Sequence, residues 1–422
     1  MKTNRLLLEL LALITILPVL RANLHTAIPL FVFIIWFINS TNLTSASYVI
    51  KDPWGVSKWW LILIAYELFL SVIGFSETSP NNYLVRIPVY SIPMIMTFVL
   101  RKYSYKDQMH LFIFITAILL FTIVQNSYLH FRDPSFFNGF SLKEDKFKWT
   151  NWGTSGFVGC VLFMVPSCYL MWKTKTSRQI RWMTFLGFVL PFIYIAFINE
   201  RATALILLLY YIVALIYVKH VKIENGVVFG ILTAIVMVVG FTFVTPFLNW
   251  FSQVVDSEKL RLSLESVTVS IENSNIEEYE GSSLFGRYYL MQVSLGTWTR
   301  SIFTFLFGIG EDSLPAGSMG FISDLAELGI GQHSQIIDFL AMYGIVGTFM
   351  LLKAFHSTFS CLRSFAIDKA MVRELNVVFI GYILMSLLNN TLFTNELLVM
   401  FVLFAVAVNL YTKRTLGREP NI

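Results

Sequence analysis

Long apolar runs recur along almost the whole chain, and they limit the folds that it can adopt. Runs of roughly 17–22 apolar residues alternate with short polar breaks, and a helix needs about 20 such residues to cross a bilayer core. Hydrophobic residues make up 56% of the chain and charged residues only 14%, whereas soluble domains average about 25% charged residues. We therefore predict an all-α polytopic integral membrane protein, with about twelve transmembrane helices and one long, partly helical outer loop.

The apolar runs also predict where the spans lie and how the chain is organised. The predicted spans are 5–20, 26–40, 58–75, 84–100, 109–125, 153–172, 182–199, 202–218, 226–248, 335–352, 376–393 and 397–411. The first two are short enough to form one re-entrant pair instead. We divide the chain into N-terminal transmembrane helices (1–181), a core (182–360) that includes the outer loop 249–334, and C-terminal transmembrane helices (361–422).

Lysine and arginine cluster in loops that fall on one side when the spans are threaded in order. The clusters are RKYSYK (101–106), KTKTSRQIR (173–181), KHVK (219–222), the stretch from Lys353 to Arg373, and KRTLGR (413–418). Basic loops remain in the cytoplasm, so we predict that both termini are cytoplasmic. The loops 126–150 and 249–334 then lie on the outer side, and the second holds eleven Asp or Glu against four Lys or Arg.

The outer loop re-enters the membrane at His333-Ser334. Ser334 suits the N-cap of the next helix. The positive end of that helix dipole favours a neutral imidazole, which can act as a general base. A histidine that only anchors the interface is the alternative. Asp338 follows in the span, where an acid is costly unless it is paired. It lies about 140° around the helix beyond a full turn, away from the His333 face.

Three arginines on the outer side are candidate ligands for phosphate oxygens. Arg201 lies in a tight turn between two spans, and Arg287 and Arg300 belong to an otherwise acidic loop. The arginine fork binds a diphosphate through two parallel hydrogen bonds. A snorkelling anchor is the alternative for Arg201, and salt bridges to Glu278 or Glu280 are the alternative for Arg287.

The outer loop also contains one apolar segment, GRYYLMQVSLGTWTRSIFTFLFGIG (286–310). We predict that it is helical and lies along the membrane surface. It ends in the turn Gly308-Ile309-Gly310, which is no dinucleotide fingerprint because no strand precedes it. The outer side has no D-x-D pair, and no P-loop or H-E-x-x-H motif occurs in the chain. We therefore predict no metal, no cofactor and no nucleic-acid partner.

In their order along the chain, these features resemble the superfamily of O-antigen polymerases and O-antigen ligases, which are bacterial envelope glycan enzymes. The resemblance covers residues 185–360. It rests on an arginine in a short outer turn, a long outer loop, an R-x-x-x-x-x-x-S segment that begins at Arg287, and a G-x-G turn. It ends in an H-[NS]-x-x-x-D-x-L-x-x-x-G-x-x-G helix that runs from His333 to Gly347. Many members carry Asn where this chain has Ser334.

The resemblance implies a function and a place in the cell. It implies a metal-independent, inverting membrane glycosyltransferase that needs no cofactor. Such an enzyme polymerises oligosaccharide repeat units carried on polyprenyl diphosphate, for O-antigen or capsular polysaccharide. Its active site would lie on the outer face of a bacterial plasma (inner) membrane. The lipid-linked oligosaccharide would be both donor and acceptor, within membrane lipid, and a flippase and a chain-length regulator are candidate partners.

The resemblance also implies roles for the candidate site residues. His333 would be the catalytic base, and Arg201 and Arg287 would bind the diphosphate. Arg300 has no counterpart in the family, and we add it as a diphosphate ligand because of its place in the acidic loop. The candidates for supporting roles are Ser334, Asp338, Gly308 and Gly310.

Three other functions stay open. The first is an O-antigen ligase, which transfers the lipid-linked glycan to lipid A-core or another acceptor. The second is a flippase or transporter of lipid-linked glycan, for which Glu67, the main acid deep in a span, would be the focus. Transporters often have two related halves, whereas the halves of this chain look unrelated. The third is a non-catalytic partner in glycan assembly.

Overall fold

Helices joined by short turns make up the described part of the protein. The structure is a computed structural model, and it describes residues 2–23, 27–40, 55–73, 87–101, 103–132, 155–174, 177–199, 202–218, 250, 291–292, 294–309, 334–388 and 396–416. No strand occurs among these residues. The all-α prediction is therefore confirmed for this part of the chain.

The helices follow the apolar runs of the sequence. They are α1 (Lys2–Ile16), α2 (Pro18–Asn23), α3 (Ala27–Ser40), α4 (Val56–Val72), α5 (Ile87–Arg101), α6 (Tyr105–Arg132), α7 (Ser155–Lys173), α8 (Arg178–Ile193) with a π-helical continuation (Tyr194–Asn199), α9 (Ala202–Tyr217), α10 (Ile302–Phe307), α11 (Gln335–Arg363), α12 (Lys369–Leu388) and α13 (Glu396–Thr415). Residues 294–298 form a further helical turn.

Six of these helices are long and apolar enough to cross a membrane. They are α6, α7, α8 with its continuation, α11, α12 and α13, and shorter apolar helices lie within α3, α5 and α9. The prediction of a membrane-embedded protein is confirmed at this level. Every predicted span in the described residues overlaps a helix, and the span 226–248 lies outside them. The figure of twelve spans stays a prediction.

Helices α6 and α11 extend well beyond the spans that the sequence predicts. The predicted loop 126–150 is helical up to Arg132, and the basic stretch from Lys353 belongs to α11 as far as Arg363. At the start of the α6 extension, the Asn126 side-chain amide donates to the Tyr194 hydroxyl at 3.3 Å. On α11, the basic side chains are long, so their apolar stems can pack against the helix while their charged ends reach polar groups.

The centre of the bundle is formed by α7 and α13, which pack against each other along their lengths. Almost every residue of both helices is buried, as expected of helices that are apolar on all sides. The helices around them expose large apolar side chains, including Phe31 on α3, Phe69 on α4 and Phe121 on α6. Such an apolar surface is typical of contact with lipid.

The contacts between helices agree with the alternating path predicted from charge. The Arg5 guanidinium lies 3.2 Å from the Asp107 carboxylate, and Lys413 Nζ donates to the Tyr103 carbonyl at 3.3 Å. These contacts gather the starts of α1 and α6 with the ends of α5 and α13, and we call this the basic end. At the opposite end, the Cys160 thiol donates to the Glu396 carbonyl at 3.4 Å, joining the starts of α7 and α13.

A buried ion pair strengthens the basic end. Lys173 Nζ lies 2.8 Å from both carboxylate oxygens of Glu374, and the Tyr169 hydroxyl donates to the same carboxylate at 3.2 Å. The Glu374 side chain is 2% exposed, so its charge is compensated almost entirely by protein groups. The pair joins the end of α7 to the start of α12.

We expect Lys173→Met to lower the free energy of unfolding by an amount near the lower end of about 3–5 kcal/mol, because it leaves a buried carboxylate without its cation. A quarter of the Lys173 side chain is exposed, which limits the loss. Adding Glu374→Gln should recover most of the stability. Thermal unfolding of the protein in detergent measures both effects. A double variant no more stable than Lys173→Met would show that the charge is not the cause.

Candidate functional site

Helix α11 begins at the opposite end of the bundle, and Ser334 caps it as the sequence predicts. Ser334 has extended backbone angles (φ −141°, ψ 107°), and its hydroxyl accepts from the Ile337 amide at 3.4 Å. Ser334 is fully buried. The helix start is therefore enclosed by protein, and its first orphan amides need partners from within the chain.

Asp338 is the partner of one of these amides, and its carboxylate also accepts a hydrogen bond from a distant serine. Its Oδ2 accepts from the Ser334 backbone amide at 3.0 Å, and its Oδ1 accepts from the Ser294 hydroxyl at 2.8 Å. Asp338 is 2% exposed and lies in the first turn of α11, where the helix dipole favours a negative charge. The expectation that this acid would be paired is confirmed.

Ser294 is the serine that ends the segment beginning at Arg287, and sequence reasoning gave it no role of its own. It is 1% exposed, and its hydroxyl reaches a carboxylate 44 residues further along the chain. Only the motif spacing drew attention to it, because a serine carries no signal that it will meet an acid so distant in sequence.

The segment 294–309 folds into a compact strap against α11. The rings of Trp298 and Phe305 stack with their centroids 4.7 Å apart, and the Trp298 indole donates to the Phe305 carbonyl at 2.9 Å. Ser301 and Thr304 form a capping box at the start of α10. The strap is partly helical, as the sequence predicts. Its exposed apolar side chains, Ile302 and Phe303, are compatible with the predicted position along a membrane surface, which stays a prediction.

Two glycines join the strap to α11 backbone to backbone. Gly308 and Gly344 both have positive φ, +80° and +64°, which L-residues with a side chain rarely adopt. A Cβ on Gly308 would overlap the backbone of Met342, and a Cβ on Gly344 would overlap that of Leu306. Gly308 thus has the positive φ that suits a glycine at the start of the predicted turn, whose last residue, Gly310, lies outside the described residues. The close approach pairs Gly308 with Gly344 of the His333–Gly347 motif.

Gly344 also breaks the regular geometry of α11. Carbonyls beside the break accept hydrogen bonds from outside the helix: Ala341 O from the Ile309 amide at 2.9 Å, and Tyr343 O from the Tyr66 hydroxyl at 3.0 Å. Gly347 gives Tyr66 the space to approach, since a Cβ there would lie 2.9 Å from its ring. Both motif glycines therefore have a packing reason.

The helices that flank Arg201 are also part of this end of the molecule. The π-helical continuation of α8 ends at Asn199 and α9 begins at Ala202. The predicted tight turn that holds Arg201 lies outside the described residues and stays a prediction. Pro191, which lacks an amide donor, precedes the π-helical turn. π-Helical turns are rare in proteins, and those that occur are often found at functional sites.

Helix α12 links α9 to the start of α11. The Tyr210 hydroxyl donates to the Val377 carbonyl at 3.0 Å, and the ring of Tyr211 packs directly on Gly381. The Gln335 amide reaches the Tyr382 hydroxyl at 3.5 Å. The helix that follows Arg201 and the helix that follows His333 are therefore held to one common helix.

The other candidate residues are distributed as follows. Arg300 is exposed in the turn between the helical turn 294–298 and α10. His333, Arg201, Arg287 and Gly310 lie outside the described residues. Glu67, the focus of the transport alternative, is 3% exposed and accepts from the Tyr90 hydroxyl at 2.7 Å. Glu67 therefore has a hydrogen-bond partner within the protein.

The chain matches no protein-family model, and it matches no curated protein. Function is therefore inferred below from the residues and contacts of the chain itself.

Proposed function

We propose that this protein is a membrane glycosyltransferase that polymerises oligosaccharide repeat units carried on polyprenyl diphosphate. The observation that carries the proposal is the buried Asp338 carboxylate. It ties the amide next to His333 to the segment that follows Arg287, and so connects a candidate base to a candidate diphosphate ligand. The sequence position of Arg201 supports the same assignment, because Arg201 directly precedes α9, and both α9 and the start of α11 contact α12.

The proposed reaction needs one base and cations around the leaving group. His333 accepts the proton of the acceptor hydroxyl as that oxygen attacks the anomeric carbon of the donor. The bond between this carbon and the diphosphate oxygen breaks on the opposite face, so the anomeric configuration inverts. Arg201 and Arg287, with Arg300 as a further candidate, stabilise the charge that develops on the leaving polyprenyl diphosphate. A diphosphate leaves without a general acid.

The proposal places the site on the outer face of a bacterial plasma membrane. Both termini and the basic end face the cytoplasm, in keeping with the distribution of lysine and arginine. The donor arrives there on its lipid after a flippase has moved it across the membrane. A chain-length regulator is a further expected partner.

An O-antigen ligase is the main alternative, since it uses the same donor, base and arginines with a different acceptor. A transporter of lipid-linked glycan is less well supported. Its candidate acid, Glu67, is hydrogen-bonded to Tyr90 inside the bundle, whereas the hydrogen bonds of Asp338 lie at the start of α11, close in sequence to His333.

Glycan laddering in a deletion strain separates these functions. For a polymerase, we expect deletion to leave single repeat units on the lipid carrier, and the wild-type gene to restore a ladder of lengths. Full-length chains that stay on the carrier would instead identify a ligase. Precursor trapped inside the cell, with none at the outer face, would contradict an enzyme and identify a transporter.

We expect Arg201→Lys to impair transfer although it keeps the positive charge, because a lysine ammonium cannot replace the two parallel hydrogen bonds of a guanidinium. The rate of ladder formation, compared at equal protein level, measures the effect. Lys413→Arg at the basic end is the matched control, and it should leave the rate unchanged. Full activity of Arg201→Lys would exclude bidentate binding by Arg201.

A further inference from the structure

We propose that Ser294 and Asp338 are positioning residues that hold the diphosphate-binding segment and the catalytic base of the proposed transferase in one geometry. The inference rests on the proposed function and goes beyond it, because neither residue needs to touch the substrate. The carboxylate of Asp338 joins two parts of the chain that are far apart in sequence.

The geometry of the Asp338 carboxylate supports this role. One oxygen accepts from the Ser294 hydroxyl at 2.8 Å and the other accepts from the Ser334 amide at 3.0 Å, so each oxygen fixes a different segment. All three residues are at most 2% exposed. Hydrogen bonds to a buried carboxylate are strong, and water cannot easily replace them once a donor is lost.

The two donors lie close in sequence to the candidate base and to a candidate diphosphate ligand. The Ser334 amide is one peptide bond from His333, and Ser294 follows Arg287 by seven residues. A base and a diphosphate ligand from distant parts of the chain act together only if their separation is fixed. The Asp338 carboxylate contacts both of these segments, at the Ser334 amide and at the Ser294 hydroxyl.

The strap is attached to α11 at its other end as well. The Ile309 amide donates to the Ala341 carbonyl at 2.9 Å, and Gly308 lies against the backbone of α11. Two separate attachments prevent the strap from rotating about either one. The strap is therefore fixed to α11 both at Ser294 and at Gly308-Ile309.

Steady-state kinetics of the full-length protein in detergent, with lipid-linked oligosaccharide extracted from a deletion strain, tests the inference. We expect Ser294→Ala to raise KM for this donor, because it frees the Arg287 segment while Asp338 still holds the Ser334 amide. Asp338→Asn should raise KM and also lower kcat, because it disturbs both segments. A misplacement on the order of 1 Å can cost about 10²-fold in rate, so we expect kcat/KM to fall by about that factor in Asp338→Asn.

Two further variants separate positioning from a merely structural role. Ser294→Thr keeps the hydroxyl and should restore KM. Thr299→Ala removes an exposed hydroxyl of the same strap that donates only to the Leu295 and Gly296 carbonyls, and should behave as the wild type. The double variant Ser294→Ala/Asp338→Asn should lose little more than Asp338→Asn alone, because residues in one hydrogen-bonded unit are not additive.

Three other results would contradict the inference, and each has a different meaning. If Ser294→Ala and Asp338→Asn lower the unfolding temperature but keep wild-type KM and kcat per folded molecule, the pair is structural and the proposed function stands. If Ser294→Thr fails to restore KM, the hydroxyl is not the positioning group. If the wild type makes no product from the extracted donor lipid, the proposed function fails and this inference fails with it.

Discussion

Transfer is expected to fall by about 10²–10⁴-fold in His333→Ala, the range that removal of one well-placed general base typically costs. His333 precedes the capped, buried start of α11, and the acceptor hydroxyl has no other predicted base. The N-cap itself belongs to Ser334, so the variant should fold and insert normally. Ladder formation in a complemented deletion strain, normalised to protein level, measures the loss.

His356→Ala provides the matched control for this variant. It removes a histidine that lies within α11, at the basic end, where the ring lies 3.1 Å from an Arg363 nitrogen. Arg363 keeps its hydrogen bonds to Asn376 and Ser360 after the change, so activity should be retained. Equal activity of both variants at equal expression would remove His333 from the mechanism.

The second large effect is expected from Gly344→Ala. Gly344 has φ 64° and ψ −170°, a region that is essentially restricted to glycine, and alanine there costs about 1–3 kcal/mol. Forced overpacking costs about 1–3 kcal/mol more. The added Cβ would overlap the Leu306 backbone and push the strap away from α11. We therefore expect the free energy of unfolding to fall by about 2–6 kcal/mol, as measured by thermal unfolding in detergent, with a parallel loss of transfer.

Gly296→Ala is the control for the glycine variant, because a Cβ at this position in the same strap meets nothing within 4 Å. Its stability should stay within about 0.5 kcal/mol of wild type. Gly308→Ala should resemble Gly344→Ala, and the double variant should cost less than the sum, since one separation of the two backbones relieves both overlaps. A Gly344→Ala protein as stable as Gly296→Ala would show that the strap does not need this close approach.

Local features of the site could be predicted from the sequence, and long-range ones could not. The N-cap at Ser334 follows from residues within one helical turn, and it is confirmed. That Asp338 needs a partner also follows from its place in an apolar run. The identity of the partner does not, because Ser294 lies 44 residues away across a long polar loop. The pairing of Gly308 with Gly344 has the same origin, since close backbone contact leaves no pattern beyond the two glycines.

The fold shows the same division. Apolar runs predict the helices well, because hydropathy is a property of each segment by itself. Helix ends are predicted less well: the predicted span ends at residue 125, yet α6 continues to Arg132, and the Asn126 side-chain amide donates to the Tyr194 hydroxyl inside the bundle. A hydropathy pattern records what a residue costs in lipid, and it cannot include a partner supplied by another helix.

The burial of α13 has a consequence for how the protein is made. The ribosome synthesises α13 after α1, α5, α6 and α7, all of which it contacts. Those helices must enter the membrane with faces that α13 has yet to cover, including Gln108, whose side-chain oxygen later accepts from Asn409 at 2.6 Å. A chain stopped before residue 396 keeps these faces open. Translation of α13 is therefore the step that lets the earlier helices close around it.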